Sequence, residues 1–303
     1  MDKNKKILVV YGGPSSESEV SKNTAKGIFN ALKNLGYKTE MLEFSFSFHE
    51  EIKKINPDIV YNAMHGAFGE DGSLPGLLEC MRIPYTHSGV RASAIAMDKV
   101  VTKNILINHD VRFSAGKVLS RDEVLAGKYT KPCVIKPIAD GSSVGVIILK
   151  SADELDNSAL LNTSKFLVED FVEGRELSVA VLDGKALGIV EIRPKSGVYD
   201  YKSKYTSGAS EYLIPAPIPA NIEAEAGRMA EIAHNIIGCK GVTRSDMIYS
   251  EKEGKVYFLE INTHPGMTET SLVPKIAASK GISYEQVVEN VVNTASLEIL
   301  PSK

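Results

Sequence analysis

The sequence predicts an α/β chain: an open parallel lobe at the N-terminus, then two lobes built on β-sheets. Three observations carry this expectation. The first ninety residues alternate short apolar runs with amphipathic stretches, the order of strand–helix–strand units with short links. Near residue 88 the texture changes, and two β-rich runs, "KPCVIKP" and "VGVIILK", flank a Gly/Ser turn. From about residue 170 a hairpin pattern leads through a polar stretch to one more helix and a closing strand pair. The expected lobes are 1–87, 88–169 and 170–303.

Taken in order, "ILVVY" (7–11) is a short buried strand. The helix after it sets Val20, Ala25, Ile28, Phe29, Leu32 and Leu35 near helical spacing, with Gly36 as its stop. "DIVYNAM" reads as a second strand and "GSLPGLLECM" as a second helix. "SAIAMDKVVTKNILIN" predicts one continuous helix. "RELSVAVLDGKALGIVEI" predicts a hairpin turning at Asp183-Gly184. "GVYDYKSKYTSGASEYLIPAPIP" has no clear period and reads as a long ordered loop. "NIEAEAGRMAEIAHNIIG" is a helix, with Asn221 as cap and Gly238 as stop.

Composition excludes several function classes. Of 303 residues, 43% are hydrophobic and 24% charged, the mix of a soluble globular protein. A net charge of −3 supplies no basic field for nucleic acid or an anionic membrane, although a local Lys/Arg cluster can still hold a small anion. The run Ile7–Tyr11 is too short for a signal-peptide core, and no segment is apolar for the length a bilayer demands. The three cysteines lie far apart without a CxxC pair, which argues for a reducing, cytoplasmic setting and against a zinc site.

Chemistry concentrates near the end, in "LEINTHPGM" (259–267). Residues two apart on a strand share a face, so Glu260 and Asn262 project together. If the preceding turn spans five residues, 251–255, Asp246 falls opposite Glu260; a four-residue turn shifts the pairing by one. Two carboxylates and an amide oxygen are hard ligands suited to Mg²⁺ or Mn²⁺, and the bland alternative is a solvated sheet end. Arg244 shares the face of Asp246, and Pro265-Gly266 turns a bare amide toward the same patch; both suit a developing oxyanion. "VIKPIADGSSVG" could cradle phosphate with its amides and Lys136, or be a plain hairpin turn; it lacks the Walker pattern. By local sequence alone, Glu17 is a carboxylate favoured by a helix dipole and His65 a core histidine at a strand end.

"RSDMI…LEINTHPGMTETSLVP" resembles the C-terminal signature of the ATP-grasp D-alanine–D-alanine ligases. "GGPSSESEVS" (12–21), "MHGAFGEDGSLPGLLE" (64–79), "MDKVVTK" (97–103), "VIKPIADGSSVG" (134–145), "VEDFVEGRELSV" (168–179) and "YDYKSKY" (199–205) follow in that family's order. The resemblance covers nearly the whole chain. It implies an ATP-grasp fold that clamps ATP between β-sheets, and ATP-dependent joining of two D-alanines through an acyl phosphate, for peptidoglycan precursors. It also implies two Mg²⁺ or Mn²⁺ ions with ATP, and a cytoplasmic homodimer with no nucleic-acid or membrane partner.

Residue by residue, the resemblance makes Asp246, Glu260 and Asn262 the metal ligands and Arg244 with the Gly266 amide the oxyanion donors. Lys99, Lys136, Ser142 and Ser143 would take the phosphates. Glu169, Asp170 and Val172 would meet adenine, and Glu176 the ribose. Glu17 would hold the first substrate's amino group in a chain with Ser142 and Tyr205, with His65 beside it. Lys204 and Tyr205 would work from a lid at about 195–210, and Ser271 and Leu272 would contact the second substrate. The chain departs from the family at Asp170, where Lys is frequent, at His264, where Ser is common, and at Pro75, where Gln is common; the first leaves one adenine contact open. Rival readings are a ligase taking D-lactate or D-serine second, against which "KSKY" weighs, and a nucleotide-binding regulator without catalysis.

Overall fold

The computed structural model describes residues 2–15, 17–160, 162–195 and 208–298. It opens on a three-stranded parallel sheet in which β1 (Lys6–Tyr11) lies between β2 (Lys38–Glu43) and β3 (Ile59–Asn62). The apolar run of β1 is buried on both faces, as a central parallel strand requires. Ile7 and Val9 pack with Ile28 and Leu32 of α1 (Ser18–Asn34), while Leu8 and Val10 pack with Ile52 of α2 (Phe48–Ile55) and Leu78 of α3 (Ser73–Met81).

The expected order of strands missed one unit, since "DIVYNAM" is the third strand. β2 is an edge strand whose residues are mostly polar, with only Thr39 and Leu42 buried, so no apolar run marks it. The predicted continuous helix also breaks. It forms α4 (Val90–Met97) and α5 (Lys99–Leu106), and the Asp98 carboxylate between them accepts from the amides of Val100 and Val101 at 2.9 Å. Local capping overrides the helical period there and sets Lys99 at the head of a helix.

Two antiparallel sheets follow. The smaller runs β4 (Gly116–Ser120), β7 (Lys165–Asp170), β5 (Cys133–Pro137), β6 (Ile147–Leu149), with the short α6 (Arg121–Leu125) after β4. The larger runs β10 (Ser210–Leu213), β9 (Lys185–Pro194), β8 (Arg175–Leu182), β11 (Val242–Ser250), β12 (Lys255–Asn262). Asp183 and Gly184 turn the β8–β9 hairpin with φ of 49° and 78°, both left-handed as a two-residue turn demands. β10 lies inside the stretch expected to be loop, and it pairs with β9.

α7 (Ala220–Ile237) covers one face of the larger sheet, burying Met229 and Ala233 with Leu177, Val179, Met247 and Phe258. Pro219, not Asn221, takes its cap position, because the helix starts two residues earlier than that cap implies; Gly238 ends it at φ 83°. α8 (Leu272–Ser279) and α9 (Tyr284–Asn293) return to the parallel lobe, where Val288 and Val292 join the core of Ile7 and Val9. Among the described residues no helix is long and apolar enough to cross a membrane. The expected lid residues Lys204 and Tyr205 lie outside the described residues.

Candidate active site

A strand irregularity builds the centre of the site. The turn after β11 spans four residues, and Ser250 pairs with Lys255, so a regular ladder would set Asp246 against Leu259. A bulge between Asp246 and Met247 on the pairing map inserts Leu259 as an extra residue and restores Asp246 opposite Glu260. The expected partner is right and the five-residue turn behind it is not. The bulge also changes parity. Val256 and Phe258 point into the core beneath α7, and without an insertion Glu260 would follow them. With it, Ile261 takes the core position, and Glu260 and Asn262 line the cleft with Arg244, while Asp246, paired opposite Glu260, is buried against Arg244 and Ser178.

Two clefts meet at this patch, sharing Lys99, Asp140 and Glu260. The smaller, about 190 Å³, is a slot between the two antiparallel sheets. Val134 and Ile148 form one wall, Ile248, Tyr257 and Leu259 the other. Lys136, Ser143, Glu169, Asp170, Val172 and Glu176 also line it. The buried Glu169 carboxylate receives Lys103 Nζ at 2.6 Å and Lys136 Nζ at 2.5 Å. Burial penalises its charge, but the two ammonium groups outweigh that and hold its pKa below the usual carboxylate range.

The larger cleft, about 480 Å³, is polar and opens toward the parallel lobe. Glu17, His65, Ser142, Arg244, Gly266, Ser271 and Leu272 line it, together with Asn262 and Glu260. The Ser142 hydroxyl donates to the Glu17 carboxylate, joining the Gly/Ser loop to the head of α1. Gly66 and Gly141 both approach that carboxylate, and a Cβ on either would come to 3.2 Å of it. Ser142 and Ser143 hold left-handed φ of 51° and 58°, a strained pair of the sort that loops gripping a ligand retain. His65 is buried, with Nε2 3.2 Å from Thr24 Oγ1 and Nδ1 3.5 Å from Glu70 Oε1. Burial pulls its pKa down, but the Glu70 hydrogen bond and the charges of Glu70 and Glu17 lift it above the ordinary value.

At the junction each carboxylate already has a cation. Arg244 is bidentate on Asp246, at 3.0 and 2.8 Å, and the Ser178 hydroxyl donates to the same group. Lys99 reaches Glu260 at 3.2 Å and the Asp140 carbonyl at 2.6 Å. The Asn262 amide oxygen accepts from the His264 backbone at 2.9 Å. Among the described residues no three His, Cys, Asp or Glu side chains gather as a metal cluster. The donor set is two carboxylates and an amide oxygen on one face, chemistry that suits a hard cation completing its shell with water and phosphate.

Sequence reasoning missed Lys103, Ser178, Glu70 and Tyr212, the last of which lines the larger cleft, as well as the apolar slot walls. Lys103 stands in a quoted motif, yet only the fold brings it to Glu169. The slot walls alternate with core residues along four strands, so each looks like an ordinary strand residue.

Two family models match the chain: D-ala D-ala ligase N-terminus over residues 38–88 and D-ala D-ala ligase C-terminus over residues 105–293. The chain belongs to the D-alanine–D-alanine ligase family. A D-alanine–D-alanine ligase of Rickettsia bellii is 43% identical over 302 residues, covering 98% of this chain and 94% of the relative. One of Rickettsia felis is 42% identical over 299 residues, covering 97% and 93%. Among solved structures, the Bacillus anthracis D-alanine–D-alanine ligase complexed with ATP matches at TM-score 0.79 and 29% identity, covering 96% of this chain and 97% of that one. The Enterococcus faecalis VanG D-Ala:D-Ser ligase matches at 0.81 and 27%, covering 96% and 99%. The fold is the ATP-grasp of these ATP-dependent ligases.

Proposed function

We propose that the protein joins two D-alanines to D-alanyl-D-alanine at the expense of ATP, through an acyl phosphate, for peptidoglycan precursor synthesis. The observation that carries this reading is the meeting of an apolar, purine-sized slot with a polar cleft at Lys99 and Glu260. A nucleotide seated in the slot delivers its terminal phosphate where a small amino acid in the cleft offers its carboxylate.

In this reading Glu169, Asp170 and Val172 contact adenine and Glu176 the ribose, while Lys99, Lys136, Ser142 and Ser143 take the phosphates. Asp246, Glu260 and Asn262 would hold Mg²⁺ or Mn²⁺, which supplies charge compensation to the crowded phosphates. Glu17 and His65 orient the first D-alanine, whose carboxylate oxygen attacks the γ-phosphorus as ADP leaves. Ser271 and Leu272 receive the second D-alanine. Its amine attacks the acyl carbonyl, the C–N bond forms, phosphate departs, and Arg244 with the Gly266 amide meets the oxyanion. The family resemblance assigns Lys204 and Tyr205 to a lid that would act over the site, and it carries the proposals of a homodimer and of a cytoplasmic location.

Phosphate release by the pure protein with ATP, Mg²⁺ and D-alanine tests the reading, with L-alanine as control. Release that depends on D-alanine, with dipeptide as product, is expected; ATP binding without turnover would leave the regulator reading standing. The likeness to a D-Ala:D-Ser ligase makes D-serine the competitor to include, with D-lactate beside it. Incorporation of either over D-alanine near neutral pH would reassign the second substrate.

A further inference from the structure

The turn that carries Gly266 is held by a residue outside every motif quoted above. The Tyr284 hydroxyl donates to the Met267 carbonyl at 2.5 Å. Met267 is 1% exposed and anchored in the core of the parallel lobe, and its carbonyl lies one residue beyond Gly266 on the way to Ser271. Tyr284 in turn is fixed from two sides. It is the first residue of α9, whose start is set by a reciprocal cap: Gln286 donates its amide to the Ser283 hydroxyl at 3.2 Å, and Ser283 donates its amide to the Gln286 side chain at 2.8 Å. Across from it stands Gly27 of α1, where a Cβ would come to 2.8 Å of the Tyr284 hydroxyl and 3.6 Å of the Met267 carbonyl. A glycine within a helix costs stability relative to alanine, and here it leaves the space the hydroxyl occupies. Burial raises the Tyr284 pKa, so the hydroxyl stays a donor across the working pH range.

We infer that Tyr284 is a positioning residue for the second half of the reaction, holding the 265–271 turn so that the Gly266 amide meets the oxyanion and Ser271 meets the second substrate. The inference rests on the proposed ligation. Its consequence separates the two half-reactions. Phosphoryl transfer depends on the phosphate loop, the lysines and the β11–β12 ligands, none of which Tyr284 touches among its described contacts. Amine attack depends on the turn. With the turn loosened, the acyl phosphate still forms, and water competes for its carbonyl. Water then breaks the same C–O bond and returns D-alanine and phosphate in place of dipeptide.

The test measures phosphate released per dipeptide formed, alongside KM for each substrate, in wild type, Tyr284→Phe and Gly27→Ala. Wild type is expected at one phosphate per dipeptide. Tyr284→Phe loses one hydrogen bond, so dipeptide formation should fall about tenfold, with the ratio above one and KM raised for the second D-alanine but not for ATP. Gly27→Ala, which crowds the hydroxyl from the other side, should shift the ratio the same way. A ratio of one in both variants overturns the inference, and so does failure of both to fold, which would make the contact a packing one. Wild type that forms no dipeptide overturns the proposed ligation instead.

Discussion

The slot between the antiparallel sheets and the cleft facing the parallel lobe share Lys99, Asp140 and Glu260, yet their walls differ in kind. The slot has apolar walls from Val134, Ile148, Ile248, Tyr257 and Leu259, and its charged groups, Lys136, Glu169, Asp170 and Glu176 among them, join that apolar surface. The cleft is lined by Glu17, His65, Glu70 and Arg244, groups whose charge suits a small polar ligand. In the proposed reaction, binding in the slot would be spread over many weak contacts, while chemistry in the cleft would rest on a few residues. The sharpest way to break this contrast is to cut at the junction. Glu260→Gln and Arg244→Ala should each lower turnover by about 10²–10³ without moving the thermal midpoint far, the usual effect of losing one electrostatic donor or ligand. Near-normal D-alanine-dependent phosphate release in Glu260→Gln would remove the metal assignment.

A smaller effect is expected from the slot. Lys103 holds Glu169 at 2.6 Å and also donates to the Ser114 carbonyl at 2.6 Å, so it steadies the carboxylate even if Lys136 turns to phosphate. Lys103→Met keeps the bulk of the stem and removes the charge. KM for ATP should rise about tenfold, the scale of one buried charge-assisted hydrogen bond, while KM for D-alanine stays put. Equal rises in both would show that slot and cleft do not divide the work in this way.

How much of this the sequence reveals follows the same division. The cleft residues sit in short motifs whose side chains face one way over a few positions, as Arg244 and Asp246 do, and local periodicity reads them. The slot is invisible because its walls come from β5, β6, β11 and β12, and each contributes an apolar residue that looks like core. Parity at Glu260 could not be had from periodicity either. Phe258 and Glu260 are two apart and would share a face on a regular strand, and only the insertion at Leu259 parts them. The break at Asp98 was within reach, since an aspartate followed by a good helix former is a cap signal, but the apolar period across 93–108 masked it. β2 was hidden by its polar edge.

Two histidines carry the comparison into stability. In the cleft, His65 is held above its ordinary pKa by Glu70 and Glu17 after burial has pulled it down, so its proton favours the fold. That contribution is complete below about 6.5 and is lost as pH rises through the folded value. Behind the larger sheet, His234 in the last turn of α7 is 3% exposed, 2.9 Å from Thr243 Oγ1, and burial without a counter-charge pushes its pKa down to about 4. Its contribution is complete above about 6.5, where folded and unfolded chains both leave it neutral, and is lost as pH falls toward 4 because the unfolded chain takes the proton first. The full loss is on the order of 3 kcal/mol for His234. Denaturant unfolding of wild type and His234→Asn between pH 7 and pH 4 measures it. The substitution keeps a polar partner for Thr243 and cannot titrate, so it should flatten the acid limb while leaving the D-alanine KM unchanged near neutral pH. An acid limb as steep in His234→Asn as in wild type would move the sensitivity to His264 of the cleft and to His87, whose ring lies 4.5 Å from it; both are buried and held low.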